Sequence, residues 1–321
     1  MSVFKQFTKE DIRKKISMGK AIDLMRGAFL QLSAGVAQVP VRRVIDSHDQ
    51  SGRVLFMPSY SSAYGLFGLK MVSVFDHNTR LNLPIIQGMI MVMDGQTGTP
   101  LGLLDAEYLT ALRTGAASGL ATDLLARKNS EILAIFGSGV QAETQLEGVL
   151  DVRPIKEVIV FGKTQSKTVS FCQRMTEKFS VGIHSARAPQ ELNRADIICT
   201  ATTSSTPVFQ KDHLKKGVHI NGIGSYKPAM QEIPSEVIQH ATLIVDQRAA
   251  SLTEAGDIVI PIRQGFITND HIHAELGEII SGSKKGRISE DQITVFKSVG
   301  NAIQDLALAH CILGRIEELG R

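Results

Sequence analysis

The stretch Ile132-Leu-Ala-Ile-Phe136-Gly137-Ser-Gly139-Val-Gln-Ala142 decides how this chain folds. An apolar run of strand length enters a G-x-G-x-x-A turn, helical patterning follows over 141–150, and a second strand is expected over 158–161. Two glycines at a strand–helix turn mean little alone. Inside a βαβ frame they form a dinucleotide fingerprint. Gly137 permits the tight turn, Gly139 lets backbone approach a pyrophosphate, and Ala142 lets helix close on strand. The helix N-terminus adds N–H groups and the positive end of its dipole. A helix over 166–179 and strands over 197–200, 219–223 and 243–245 continue the alternation, which predicts a doubly wound parallel sheet.

The second strand speaks to the nucleotide. An NAD site usually places Asp or Glu near that strand's end for the ribose 2′-hydroxyl. Here the chain reads Phe161-Gly162-Lys163-Thr164-Gln-Ser166-Lys167, with lysines and hydroxyls but no carboxylate. That composition suits a 2′-phosphate, so NADP(H) is the expected cofactor and NAD(H) the alternative.

Upstream the pattern differs. Thr8 and Asp11 have capping-box spacing, and Ile22, Met25, Phe29 and Leu32 recur at helical spacing before a stop at Gly35. Short apolar runs over 41–45, 53–57, 66–75, 85–93 and 100–104 predict a mainly antiparallel sheet, with Asp94-Gly-Gln-Thr-Gly98 as a hairpin turn. A long helix rich in small residues is expected over 106–126, and a last helix over 295–319. The fold class is therefore α/β. A Rossmann domain is expected over 121–297 after a first domain over 1–120, and the last helix fits either of them.

Composition bounds the function. A chain of 321 residues has room for about two domains at the usual ~100–200 residues each. Hydrophobic residues are 43% and charged residues 21%, which excludes disordered and fibrous classes. The net charge of +3 is too small for a nucleic-acid footprint. No run of about 18 apolar residues predicts a membrane span. The charged opening residues lack the apolar core of a signal peptide. Cys172, Cys199 and Cys311 are sparse and show no metal spacing. A cytoplasmic protein with reduced thiols is expected.

Three cations lie in apolar or small-residue surroundings. Arg42 sits in Val39-Pro-Val-Arg42-Arg-Val-Ile45, and Lys70 shares a strand face with Leu66, Val72 and Val74. Arg113 lies among Ala111, Gly115, Ala116 and Ala117, small residues that would leave room for a ligand. A buried cation needs a partner, and such a set suits a small carboxylate. His271-Ile-His273 lacks a third ligand, so no metal is expected. No Gly-x-Ser-x-Gly elbow or Cys/His nucleophile arrangement occurs.

At these residues the chain resembles the ornithine cyclodeaminase/mu-crystallin family along its whole length. The matching blocks are Pro40-Val-Arg42, Met57-Pro-Ser-Tyr60, Leu69-Lys-Met-Val72, Leu112-Arg-Thr-Gly-Ala-Ala-Ser118 and the fingerprint itself. They continue with His219-Ile-Asn-Gly-Ile-Gly224, Glu254-Ala-Gly-Asp257, Ala274-Glu-Leu-Gly-Glu278 and Thr294-Val-Phe-Lys-Ser-Val-Gly300. The resemblance implies that 298–321 rejoins 1–120 in one α+β substrate and dimerisation domain, and that a homodimer is joined through the sheet of that domain. It implies that Arg42, Lys70 and Arg113 bind a small imino- or amino-acid substrate, with Lys70 and Arg113 catalytic. It further implies that Arg113, Thr114, Gly139, Val140, Gln141, Lys163, Thr164, Thr200 and Ser298 line the cofactor.

Departures from the pattern narrow the reaction. Cyclodeaminases of the family carry an Asp in the loop after the Asn-x-x-Gly strand, where this chain has Tyr226. The stretch Val54-Leu-Phe56 also lacks their carboxylate for a distal amine, whereas Lys163-Thr164 matches the family's ketimine reductases. The expectation is NAD(P)H-dependent reduction of a cyclic imine carboxylate. The substrate would be Δ1-pyrroline-2-carboxylate, giving L-proline, with Δ1-piperideine-2-carboxylate and L-pipecolate as a companion pair and Tyr226 as a further pocket residue. Ornithine cyclodeaminase, alanine dehydrogenase and a non-catalytic NADPH- or small-ligand-binding protein are the alternatives.

Overall fold

Thr8 opens the first helix through reciprocal bonds. The Asp11 amide donates to Thr8 Oγ1 at 3.3 Å and the Thr8 amide to Asp11 Oδ2 at 2.9 Å. In the computed structural model, which describes residues 4–48 and 51–314, a three-residue strand β1 (Lys5–Phe7) precedes this helix α1 (Lys9–Lys15). Ser17 then caps a second helix, α2 (Met18–Ser33), by accepting from the Lys20 amide at 3.3 Å. The opening region is therefore two helices with a break at Ile16. Ile22, Met25 and Phe29 are buried on α2, and Gly35 follows it at φ +69°.

Strands β2 (Ala37–Gln38), β3 (Arg43–Asp46), β4 (Arg53–Ser61), β5 (Leu66–Val74), β6 (Ile86–Asp94) and β7 (Pro100–Asp105) complete a seven-stranded sheet. Its order is β1-β7-β6-β5-β4-β2, with β3 also paired to β4, and only β1–β7 is parallel. At the β6–β7 turn, Asp94 Oδ1 accepts from the Gln96 and Thr97 amides at 3.1 and 3.0 Å. The two-residue period divides the faces. Met57, Lys70 and Ile90 lie side by side on β4, β5 and β6 and are buried. Phe56, Met71 and Met89 occupy the opposite face, half-buried or exposed.

Helix α3 (Ala106–Leu125) is buried nearly all round. Two compact units divide within it: Met1–Arg113 with Gly300–Arg321, and Thr114–Val299. The second unit holds β8 (Ile132–Phe136), α4 (Val140–Val152), β9 (Glu157–Phe161), α5 (Gln165–Lys178), β10 (Gly182–Ser185), β11 (Ile197–Thr200) and β12 (His219–Gly222). It continues through α6 (Ser235–His240), β13 (Thr242–Val245), α7 (Arg248–Glu254), α8 (Gly256–Arg263), β14 (Ile272–Glu275), α9 (Leu276–Ile280) and β15 (Thr294–Lys297). All eight strands are parallel, in the order β10-β9-β8-β11-β12-β15-β13-β14. This is a Rossmann sheet, with the topological switch point between β8 and β11.

Two expectations need correcting. The helix expected over 295–319 begins instead as β15, between β12 and β13. Thr294, Val295, Phe296 and Lys297 are wholly buried there. Thr294-Val-Phe-Lys297 is too short to show a strand period, and Val295, Val299 and Ile303 recur at helical spacing, so the segment reads as the start of the helix that follows. Gly300 at φ +75° breaks the chain, and the helix proper, α10 (Ala302–Ile312), packs on α2, β4 and β5 within the first unit. Positions 315–319 lie outside the described residues. The second correction concerns the small residues of α3. A Cβ at Gly115 would lie 2.2 Å from Thr144 O, and one at Gly148 would lie 2.3 Å from Gly115 O. At Gly115 the space is taken by α4, whose backbone crosses α3 there, and not by a ligand.

Candidate active site

In the second unit β8 delivers the chain into Gly137 at φ +108°, where a Cβ would lie 2.5 Å from Ala201 O. Only glycine meets both demands without strain. Gly139 is the N-cap of α4 and has no side-chain cap, and nothing lies within 4 Å of where its Cβ would be. Val140 is exposed, Ala142 is buried, and Gln141 Oε1 is a buried acceptor without a partner. An open glycine turn, an uncapped helix start and an orphaned amide oxygen together fit a nucleotide pyrophosphate and its ribose.

Lys163 and Thr164 lie exposed in the loop after β9, Thr164 at the start of α5. Other residues expected at the cofactor are turned inward. Thr200 Oγ1 donates to Glu232 Oε2 at 2.8 Å, and Ser298 Oγ to Asp246 Oδ2 at 2.8 Å. Thr114 is buried, and its carbonyl accepts from Gln145 Nε2 at 3.3 Å. Glu232 also receives the Thr202 amide and hydroxyl and the Ser225 amide, at 2.6, 2.7 and 3.1 Å. Burial, and then Asp257, pushes its carboxyl up, while Lys297 opposes them. Lys297 Nζ stands 3.3 Å from Asp257 Oδ2 and donates to Gly222 O at 2.9 Å. Sequence reasoning missed this buried set, which fixes the loop after β12. Tyr226, on that loop, packs half-buried against the Rossmann core, with Lys227 Nζ 5.4 Å from its ring centre. His271 and His273 each place Nε2 2.8 Å from a backbone carbonyl, of Ile238 and Lys285.

The first unit brings together Arg42, Lys70 and Arg113. Lys70 points from the buried face of β5, flanked by Met57 and Ile90, and is 2% exposed. Its Nζ lies 3.2 and 3.3 Å from the two carboxylate oxygens of Asp305 on α10. Arg113 Nε stands 3.5 Å from Asp305 Oδ1, and Arg113 Nη1 donates to Gln304 Oε1 at 2.7 Å. Arg42 Nη2 donates to Gly300 O at 2.7 Å. Burial drives the Lys70 pKa down to about 7; Asp305 raises it, and Arg113 and Arg42 lower it. The site thus holds an ammonium that changes protonation near neutral pH beside two guanidiniums. Gln304 and Asp305 were not singled out from sequence. The available signal was a polar pair in the otherwise apolar Ala302-Ile303 and Leu306-Ala-Leu-Ala309 of a buried helix.

Comparison with known proteins bears on the family and the fold. The pattern of the ornithine cyclodeaminase/mu-crystallin family matches residues 4–320. A Bacillus cereus protein named Delta(1)-pyrroline-2-carboxylate reductase is 42% identical over 310 residues, 96% of this chain and 95% of its own length. The Thermococcus litoralis Delta(1)-pyrroline-2-carboxylate reductase, solved with NADH and L-proline, superposes with TM-score 0.92 at 40% identity over 98% of each chain. An archaeal alanine dehydrogenase dimer with bound NAD gives TM-score 0.91 at 33% identity, over 98% of this chain and 96% of that one. Matched in pattern, sequence and structure over nearly its full length, the chain belongs to the ornithine cyclodeaminase/mu-crystallin family.

Proposed function

We propose that this chain is an NAD(P)H-dependent oxidoreductase that reduces Δ1-pyrroline-2-carboxylate to L-proline, with Δ1-piperideine-2-carboxylate as a companion substrate. The observation that carries this reading is the meeting of Arg42, Lys70 and Arg113 around Asp305 and Gly300 in a family whose similar members are named for that reduction. Arg42 and Arg113 hold the substrate carboxylate, the geometry for which a guanidinium fork is suited. The Lys70 ammonium donates to the ring nitrogen and passes it a proton as the hydride arrives, which makes the C=N carbon electrophilic. A reduced nicotinamide, when bound, supplies the hydride. As the carbon accepts it, the C=N pair moves to nitrogen, which leaves a secondary amine. Arg113 would also border the nicotinamide, and Tyr226 the substrate.

Gly137, Gly139, Val140 and Gln141 would hold the pyrophosphate, with Thr114, Thr200 and Ser298 near the rest of the dinucleotide. Lys163 and Thr164, exposed where an NAD site would place a carboxylate, favour NADP(H) over NAD(H). The sheet face opposite Lys70 serves a homodimer, so the first unit is both the substrate and the dimerisation domain. No helix among the described residues is long and apolar enough to cross a membrane, and we place the enzyme in the cytoplasm.

The test is cofactor oxidation by purified protein with Δ1-pyrroline-2-carboxylate, run with NADPH and NADH in parallel, beside an ammonia assay with L-ornithine and NAD. Imine-dependent oxidation without ammonia release is expected, faster with NADPH. Ammonia release without imine reduction would replace this reading with a cyclodeaminase. Silence in both assays would leave a nucleotide-binding protein.

A further inference from the structure

Lys70 and Arg113 come from different elements, yet they meet at one carboxylate. Asp305 is 1% exposed, and its two oxygens lie almost equally far from Lys70 Nζ, at 3.2 and 3.3 Å. The oxygen nearer Lys70 is also the one 3.5 Å from Arg113 Nε. Gln304, one residue earlier, holds another edge of the same guanidinium at 2.7 Å. A single turn of α10 therefore sets the separation of two cations carried by β5 and α3.

We propose that Asp305 is a positioning residue of the reduction: its carboxylate, shared by Lys70 and Arg113, fixes both cations where the substrate is held and keeps Lys70 in its ammonium form. This inference rests on the imine-reductase reading. The groups facing Lys70 are Met57 from β4 and Ile90 from β6, neither of which titrates, Asp305 from α10, Arg113 from α3, and Arg42 from the segment before β3. Without the carboxylate, an ammonium would remain buried beside like charges. An arginine does not give up its proton in such a place, whereas a buried lysine does. Loss of Asp305 must therefore appear as deprotonation of Lys70. The burial-depressed pKa of about 7 puts that event at working pH, where a shift of one unit changes the minor form up to tenfold.

The experiment compares kcat/KM for Δ1-pyrroline-2-carboxylate against pH in the wild type, Asp305→Asn, Asp305→Glu and Lys70→Arg, with NADPH binding to each as a check of folding. The substrate's own titration is common to all four and cancels in the comparison. In Asp305→Asn the alkaline limb is expected to move at least one unit towards acid, with a loss of at least about fivefold at pH 7.5. Asp305→Glu should restore the position of the limb while kcat stays reduced. Lys70→Arg, in which the cation cannot titrate, should lose that limb. A lowered rate with an unmoved limb in Asp305→Asn would reduce Asp305 to a structural role and overturn the proposal. If Asp305→Asn does not bind NADPH, Lys70→Arg decides, because a limb that persists there is not Lys70 and the proposal falls. A wild type inactive on the imine overturns the functional reading and this inference together; an active wild type with an unmoved limb overturns this inference alone.

Discussion

At Arg113 a role in chemistry and a role in folding can be tested apart. It is 6% exposed and bonded to Gln304 and Asp305. Breaking a buried ion pair usually costs about 3–5 kcal/mol because the remaining charge is stranded. Here the remaining charge is Asp305, and it keeps Lys70 at 3.2 Å. Arg113→Ala should therefore retain its far-ultraviolet circular dichroism and a cooperative melt. Its kcat/KM for the imine should fall by at least about 30-fold, the ~2 kcal/mol minimum for truncating a buried hydrogen-bonded charge partner. Wild-type turnover in Arg113→Ala would remove it from the carboxylate clamp.

The elements differ in how plainly the chain announces them. Strands β8 and β11 are legible to the residue, because a five- or four-residue apolar run ends in a glycine or polar turn. The capping of α1 and the β6–β7 turn follow from local spacing alone. β15 is not legible, since Thr294-Val-Phe-Lys297 is too short to show a strand period. At the site, Lys70 stands out as a charge on an apolar strand face. Its partner Asp305 lies 235 residues away, beyond any local pattern. The glycines of α3 were legible as small but not as a helix crossing, and this gives a test of sign. In an open helix Gly→Ala stabilises by about 1 kcal/mol. Gly115→Ala, whose Cβ would lie 2.2 Å from the Thr144 carbonyl oxygen, should instead destabilise by roughly 1–3 kcal/mol, as overpacking does. The urea midpoint measures it, and a rise would mean that α3 and α4 separate freely.

At the scale of the whole molecule, the first unit's sheet presents two unlike faces. The inner face buries Met57, Lys70 and Ile90. On the outer face, register aligns Phe56, Met71 and Met89 across three strands, and Tyr60 lies beside Phe67 with ring centroids 4.5 Å apart. Phe67 and Met89 are each 44% exposed, and Ile45, on the same face of β3, is 62% exposed. Apolar area of this kind is uncommon on a monomer and usually marks an interface. A second copy of the chain would cover it symmetrically, since an isologous contact needs only a self-complementary patch. A stable contact requires about 1,200–2,000 Å² in total, within reach of a four-strand face. Sedimentation should therefore return about twice the 34.9 kDa chain mass. Phe67→Lys with Met89→Lys places a charge on each of two neighbouring strands without touching the inner face. That variant should sediment as a monomer and still bind NADPH, because every proposed nucleotide residue except Arg113 belongs to the other unit. A wild type that sediments as a monomer would leave this face without its proposed partner, and a double variant that stays dimeric would move the interface to another surface.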